Sequence, residues 1–73
     1  MKKSIYTDTY KKLISKLIQA RQASKLSQKD VASLIDTTQS YVSKIEAGQK
    51  KIDVIELKNL ARIYKRDIRY FLD

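Results

Sequence analysis

The segment TTQSYVSKIEAG, residues 37–48, carries side chains that can donate and accept hydrogen bonds at helical spacing. At about 100° per residue, Thr38, Val42 and Ile45 fall on one face of a helix. The opposite face presents an amide, hydroxyls, one ammonium, one methyl and no carboxylate. Its members are Gln39, Ser40, Ser43, Lys44 and Ala47. Such groups can hydrogen-bond base edges in the major groove of DNA, so the pattern predicts a base-reading surface; a merely solvated polar face is the alternative.

The chain lacks the residues that catalytic and metal-binding sites most often use. It has no Cys and no His, which excludes disulfides, thiolate-zinc sites and imidazole general bases. In 73 residues, a core large enough for stability leaves no room for an ordinary enzyme cleft. We therefore expect one domain with no catalytic residue, metal site, cofactor or small-molecule ligand.

The formal net charge of +8 favours a polyanionic partner, and nucleic acid is the first candidate. Residues 1–29 carry eight basic residues against one acid, and residues 49–73 carry seven against four. The segment between them, residues 30–48, holds one base against three acids. This layout predicts basic groups that hold DNA phosphates on both sides of a reading surface. The candidate cations are Lys11, Lys12, Lys16, Lys29, Lys50 and Lys51.

The absence of Pro and the single Gly favour an all-α fold. Helix 1 is expected from about Thr9 to Ala23, with Leu13, Leu17 and Ala20 facing the core. Residues 1–8 are expected to form a short basic arm, so that the folded domain is residues 9–73. Four further helices are expected at about 27–35, 38–47, 54–65 and 67–72.

Capping residues support these boundaries. Ser27 with Asp30 three residues on is close to a capping box, and Thr38 and Asp53 can cap the third and fourth helices. Gly48 is a natural left-handed end for the third helix. The fourth helix is expected to bury Ile55, Leu60, Ile63 and Tyr64.

The run LSQKDVASLIDTTQSYVSKIEAGQKKID closely resembles the XRE-type helix-turn-helix domain of lambdoid phage repressors and Cro, restriction-modification controller proteins and many small bacterial regulators. The resemblance covers about residues 13–72. Its most specific parts are LSQ at the start of helix 2, TQSYVSKIE for helix 3, the Gly after it and the following IDVIEL. It implies a compact five-helix lambda-repressor-like domain whose helix 3 enters the major groove.

The resemblance also implies roles for single residues. Gln28 matches a residue that contacts a phosphate and braces Gln39, although a simple capping role is the alternative. Gln39 matches the main base reader, of adenine. Ser40, Ser43 and Lys44 match the other groove-facing positions.

Phosphate contacts are implied beside the reading helix. Positions near the DNA backbone are matched by Tyr41, Lys50 and Lys51. Lys29 and Thr38 are also expected to contact phosphates. The alternatives are a Tyr41 packed beside Val42 and Ile45 with its hydroxyl in solvent, and solvated lysines. Arg21 and Glu46 match an internal salt bridge whose Arg is also close to a phosphate.

Two departures from the family pattern stand out. Asp36 occupies a turn position where most relatives have Gly, so we expect left-handed geometry at this Asp. Position 39 is often Arg in the family and is Gln here, so the operator sequence does not follow from the resemblance.

The C-terminal segment RDIRYFLD crowds apolar and aromatic residues at the end of the chain. We expect Ile68 and Leu72 to pack inward, leaving Tyr70 and Phe71 exposed. A homodimer interface is predicted at Ile68, Tyr70 and Phe71. The alternative is that all four residues complete the monomer core or that the end frays.

Together these observations predict a cytoplasmic, sequence-specific DNA-binding regulator, a repressor or autoregulator that binds double-stranded DNA as a homodimer. One alternative is a protein-interaction module on the same fold, such as an antitoxin, which would use a long extra tail. Another is peripheral membrane binding, which needs a broad apolar helix face opposite Lys and Arg. Apolar runs are too short for a membrane span, and residues 1–12 lack the apolar part of a signal peptide.

Overall fold

The computed structural model describes residues 7–72, and all regular structure in them is helical. The helices are α1 (Asp8–Ala23), α2 (Gln28–Leu34), α3 (Gln39–Glu46), α4 (Val54–Ile63) and α5 (Ile68–Leu72). The predicted all-α, five-helix architecture is confirmed. Residues 1–6 of the predicted basic arm lie outside the described residues, while its last two, Thr7 and Asp8, cap and begin α1. Among the residues described, no helix is long and apolar enough to cross a membrane.

Side-chain caps begin the first four helices. Ser27, Thr38 and Asp53 each accept a hydrogen bond from the backbone N–H three residues later, as predicted. At α2 the capping box is complete, because the Ser27 N–H also donates to Asp30 Oδ2 at 2.9 Å. These two hydrogen bonds with Ser27 hold the pKa of the Asp30 carboxyl below its usual range. The ends of the helix-turn-helix segment are therefore set by local chemistry.

Each connection between consecutive helices passes through one residue in the left-handed region. These residues are Lys25 (φ 59°), Asp36 (φ 58°), Gly48 (φ 75°) and Lys65 (φ 58°). In each case the following amide bonds to the carbonyl five residues back; for example, Thr37 N donates to Ala32 O at 2.8 Å. This pattern is the Schellman motif, which satisfies the last carbonyls of a helix. The left-handed conformation was predicted at Asp36, but nothing in the sequence predicted it at Lys25 or Lys65.

Replacing Lys65 by Gly is expected to raise the free energy of unfolding by up to about 1 kcal/mol. The left-handed conformation costs a non-Gly residue roughly 1–2 kcal/mol, and the greater freedom of Gly in the unfolded chain offsets part of that gain. Urea denaturation followed by circular dichroism measures the change. The matched control is Lys58→Gly inside α4, which is expected to lose about 1 kcal/mol. Equal losses in both variants would contradict the prediction.

The core lies where α1 meets α3 and α5, α2 meets α3, and α4 meets α5. Its members are Ile14, Leu17, Ala20, Val31, Ala32, Val42, Ile45, Leu57, Leu60, Ala61, Tyr64 and Phe71. Val31 and Ala32 of α2 and Val42 and Ile45 of α3 belong to this one cluster. The shared core therefore holds α2 and α3 as one unit and leaves the opposite face of α3 to solvent.

The buried face of α4 differs from the prediction at one end. Leu60 and Tyr64 are buried as expected and Ile63 is half-buried, but Ile55 is 62% exposed. Leu57 takes its place, one turn before Leu60 on the same face. Ile55 precedes Leu57 by two residues, about 200° around the helix, so the two cannot share a face.

The C-terminal helix buries a different side from the one predicted. Phe71 is buried at 2% exposure and Leu72 is 58% exposed, so the expected inward position of Leu72 and outward position of Phe71 are wrong. Ile68, half-buried, and Phe71 form an i,i+3 pair toward the core. The Phe ring removes more apolar surface from water than the Leu side chain, which favours this rotation.

Tyr70 is occupied by contacts within the same chain. Lys16 Nζ lies 5.3 Å from its ring centroid and the Arg66 guanidinium lies 5.4 Å from it. Lys16 Nζ also donates to Tyr70 O at 2.9 Å, and the Tyr70 and Phe71 rings meet edge to face at 4.9 Å. Lys16, expected among the phosphate-binding cations, instead ties α1 to α5. In the predicted dimer patch, Phe71 is thus buried within the monomer, and Ile68 and Tyr70 are half-buried.

Candidate nucleic-acid interface

The turn between α2 and α3 fixes where the outward face of α3 begins. Ile35 ends α2, Asp36 reverses the chain, and Thr38 caps α3 by accepting the N–H of Tyr41 at 3.1 Å. Because Thr38 is the cap, Gln39 is the first residue of α3. The first turn of α3 therefore carries Gln39 and Ser40 at its exposed N-terminal end.

The outward face of α3 is exposed along its whole length. Gln39, Ser40, Ser43, Lys44 and Ala47 are all exposed. They lie opposite Val42 and Ile45, which are 4% and 2% exposed. The structure therefore brings together the four predicted base-reading side chains on one continuous surface.

Glu46, the one acid of α3, is turned away from this surface into a partly buried network. Arg21 Nε donates to Glu46 Oε2 at 2.7 Å, and Arg21 Nη2 donates to Glu46 Oε1 at 3.1 Å. The side chains of Arg21 and Glu46 are only 14% and 7% exposed. Arg21 Nη1 donates to Leu26 O at 2.9 Å, and the hydrogen bond with Glu46 raises the pKa of Arg21. The pair joins α1 to α3 and removes a carboxylate from the outer face.

Gln28 joins the same network rather than bracing Gln39. Its Nε2 donates to Glu46 Oε1 at 2.9 Å, and the residue is half-buried. The family-based expectation of a Gln28–Gln39 contact is therefore not met. The capping alternative is also not met, because the side chain that caps α2 is Ser27. Glu46 needs several donors once it is buried, and Gln28 supplies one of them.

Tyr41 links α3 to α4. Its hydroxyl donates to Glu56 Oε2, and Lys50 Nζ lies 5.4 Å from its ring centroid. Burial, with the hydrogen bond to Glu56, raises the pKa of Tyr41 to about 12. The ring packs against the core cluster that contains Val42 and Ile45, as in the packing alternative, but its hydroxyl bonds to α4.

The connection between α3 and α4 is held by a residue that the sequence did not single out. Tyr10 Oη accepts the N–H of Ile52 at 3.2 Å and donates to Lys50 O at 3.4 Å. The only signal for Tyr10 is its spacing, since it lies one turn before Ile14 and two before Leu17 on the same stripe. That spacing predicts partial burial of the ring but not the partners of its hydroxyl.

A shallow polar groove runs beside α3 and reaches the loop after it. Its lining residues are Thr38, Ser40, Tyr41, Lys44, Gln49 and Lys50. Hydroxyls, an amide and two ammonium groups are suited to an anionic, oxygen-rich group such as a DNA phosphate. Of the other predicted phosphate contacts, Arg21 and Gln28 meet at Glu46, and Lys29 and Lys51 are exposed outside this groove.

Comparison with known proteins adds one match. A family model described as helix-turn-helix matches residues 17–71, more than half of the chain. The matched range begins within α1 and ends within α5, so it includes α2, the turn and α3 whole. No curated protein matches the chain.

Proposed function

This chain belongs to the XRE-type, Cro/C1-like helix-turn-helix family of DNA-binding transcription regulators, and we propose that it represses transcription by binding a pseudo-palindromic operator as a homodimer. The observation that carries the proposal is the exposed, carboxylate-free face of α3, beside which Glu46 is tied up by Arg21. DNA repels exposed carboxylates, so this face is compatible with a major groove. Repression or autoregulation requires only that the bound protein occupy a promoter.

Reading of bases is assigned to the outer face of α3. Residues near the N-terminus of a recognition helix contact base edges, and Gln39 begins this helix. Its amide can donate and accept at the same time, which suits N6 and N7 of adenine. Ser40, Ser43 and Lys44 follow on the same face, and Lys reaches the acceptors of guanine.

Positioning on the duplex is assigned to phosphate contacts beside α3. The polar groove ends at Lys50, whose ammonium lies over the Tyr41 ring. Lys29 in the first turn of α2 and Lys51 after Lys50 are exposed and add positive charge. Phosphate contacts of this kind fix register and orientation, while the α3 side chains carry sequence preference.

Replacing Gln39 by Ala is expected to cost roughly 1–3 kcal/mol of discrimination at one base pair while leaving non-specific binding nearly intact. The preferred duplex is first selected from random DNA. The affinity of each variant is then measured on that duplex and on every single base-pair substitution of it.

Gln19→Ala is the matched control, because Gln19 is also an exposed amide, on α1, and bonds Ser15 within its own helix. It is expected to leave both affinity and base preference unchanged. If Gln39→Ala keeps the full wild-type preference at every position, α3 is not the reader.

Self-association is assigned to the start of α4 instead of the predicted C-terminal patch. Val54 and Ile55 are 67% and 62% exposed, an adjacent pair of branched apolar side chains. Asp53 and Lys58, exposed and of opposite charge, flank the pair. A two-fold axis can place the carboxylate of one copy near the ammonium of the other, so a second copy of this chain fits the surface. Dimerisation would then set two α3 helices about 34 Å apart, one turn of DNA.

Sedimentation across a concentration series tests this assembly. The wild type is expected to shift from monomer to dimer as concentration rises, whereas Ile55→Asp is expected to stay monomeric. Leu72→Asp, which changes an equally exposed apolar residue on α5, is expected to behave as the wild type. A wild type that stays monomeric at high concentration, with and without operator, would refute the homodimer.

A further inference from the structure

We propose that Tyr10 is a positioning residue for DNA binding: its hydroxyl holds the basic loop, residues 49–53, so that Lys50 and Lys51 meet the phosphate backbone without prior ordering. The inference rests on the proposed function and adds a residue of α1 to it. It also assigns the loop a preset geometry in the free protein.

The basic loop has few backbone anchors of its own. At its start, Gln49 N donates to Lys44 O at 2.8 Å, and at its end Asp53 O accepts Leu57 N at 3.0 Å. Between these points, Lys50 O and Ile52 N both meet Tyr10 Oη. One hydroxyl thus accepts from and donates to the two residues that flank Lys51. Lys51 itself is exposed, at the centre of the segment that Tyr10 bridges.

The Tyr10 ring is held firmly enough to serve as this anchor. It is half-buried on α1 and packs against the core cluster that contains Ile14. With Lys11 and Ile14 it lines an open surface pocket whose other wall is Glu46, the last residue of α3, with Ala47 and Gly48. Tyr10 therefore connects α1 both to the end of the reading helix and to the loop that follows it.

Lys50 is held at both its backbone and its side chain. Tyr10 binds its carbonyl at 3.4 Å, and the Tyr41 ring lies 5.4 Å below its ammonium. A cation over an aromatic face is attracted by the ring, so the ammonium is held beside Tyr41 of α3. Ordering that exists before binding does not have to be supplied by the DNA contacts, so affinity rises.

The first arm of the test uses the free protein. In Tyr10→Phe the ring stays and only the hydroxyl is lost. The amide of Ile52 is expected to exchange with solvent roughly threefold to tenfold faster, the effect of losing one net hydrogen bond. The amide of Gln49, which bonds to Lys44 O, is expected to keep its rate. Unchanged exchange at Ile52 would overturn the anchoring role.

The second arm measures DNA affinity in a double-mutant cycle. Tyr10→Phe is expected to weaken operator and random duplex alike, by roughly threefold to tenfold. In a Lys50→Ala, Lys51→Ala background the same change is expected to have no further effect, because the groups it positions are gone. Tyr70→Phe, which removes a tyrosine hydroxyl far from the loop in sequence, is expected to leave affinity unchanged.

The outcomes separate this inference from the proposed function. A wild type that binds DNA, with a Tyr10→Phe loss that is additive to the two Lys changes, overturns the positioning role alone. A wild type that binds no DNA overturns the proposed function, and the role of Tyr10 in DNA binding with it. A general loss of stability would lower the melting temperature without coupling Tyr10 to Lys50 and Lys51.

Discussion

Raising the salt concentration from about 50 to about 200 mM is expected to weaken operator binding by a factor of roughly 10³. Each cation that neutralises a phosphate releases counterions, so the logarithm of affinity falls linearly with the logarithm of salt concentration. Lys29 on α2 and Lys50 and Lys51 in the loop after α3 are exposed, and a dimer doubles their number. About six phosphate contacts give a fall of this size. Fluorescence titrations at several salt concentrations measure the slope.

Two Lys substitutions separate phosphate contacts from general charge. Lys50→Ala is expected to weaken all sequences alike and to reduce the slope by about one per protomer. Lys16→Met removes the same charge but is expected to leave the slope unchanged, since Lys16 is engaged by Tyr70. A salt response that is flat for the wild type would contradict the role of the basic groups altogether.

The helix-turn-helix segment was predictable because its signals are local. Ser27 and Asp30 each accept the other's backbone N–H and so start α2 within four residues. Thr38 caps α3 by accepting the N–H of Tyr41. The 3.6-residue period then decides which side chains of α3 face outward. Neither signal depends on how the rest of the chain packs, so the outward face of α3 followed from the sequence.

The errors lie where only tertiary contacts decide the outcome. A helix of five residues, such as α5, completes little more than one turn and has no period to show which side is buried. The choice of Phe71 over Leu72 depends on the space left by the other helices. In the same way, sequence spacing shows that Glu46 lies beside the buried stripe, but not that Gln28 supplies one of its hydrogen bonds.

Replacing Glu46 by Ala is expected to lower the free energy of unfolding by about 3 kcal/mol, the lower end of the range for removing one partner of a buried pair, because this pair is partly buried. Three N–H groups lose their acceptor at once: Arg21 Nε, Arg21 Nη2 and Gln28 Nε2. Gln28 can turn toward solvent, but the Arg21 side chain is 14% exposed and its charge remains. Total stabilities of domains are about 5–15 kcal/mol, so the loss is a large share of the stability of this domain. Urea denaturation followed by circular dichroism measures the loss.

Two comparison variants show whether burial is the cause. Arg69→Ala breaks the Asp67–Arg69 pair, whose side chains are 56% and 81% exposed, and is expected to cost less than about 1 kcal/mol. The double change Arg21→Met with Glu46→Leu removes both buried charges and is expected to be far less damaging than Glu46→Ala alone. Arg21→Met alone leaves a carboxylate beside the reading face, so it should also weaken DNA binding in whatever fraction stays folded. If Glu46→Ala costs no more than Arg69→Ala, Glu46 is solvated, and its pairing does not explain how α3 tolerates an acid.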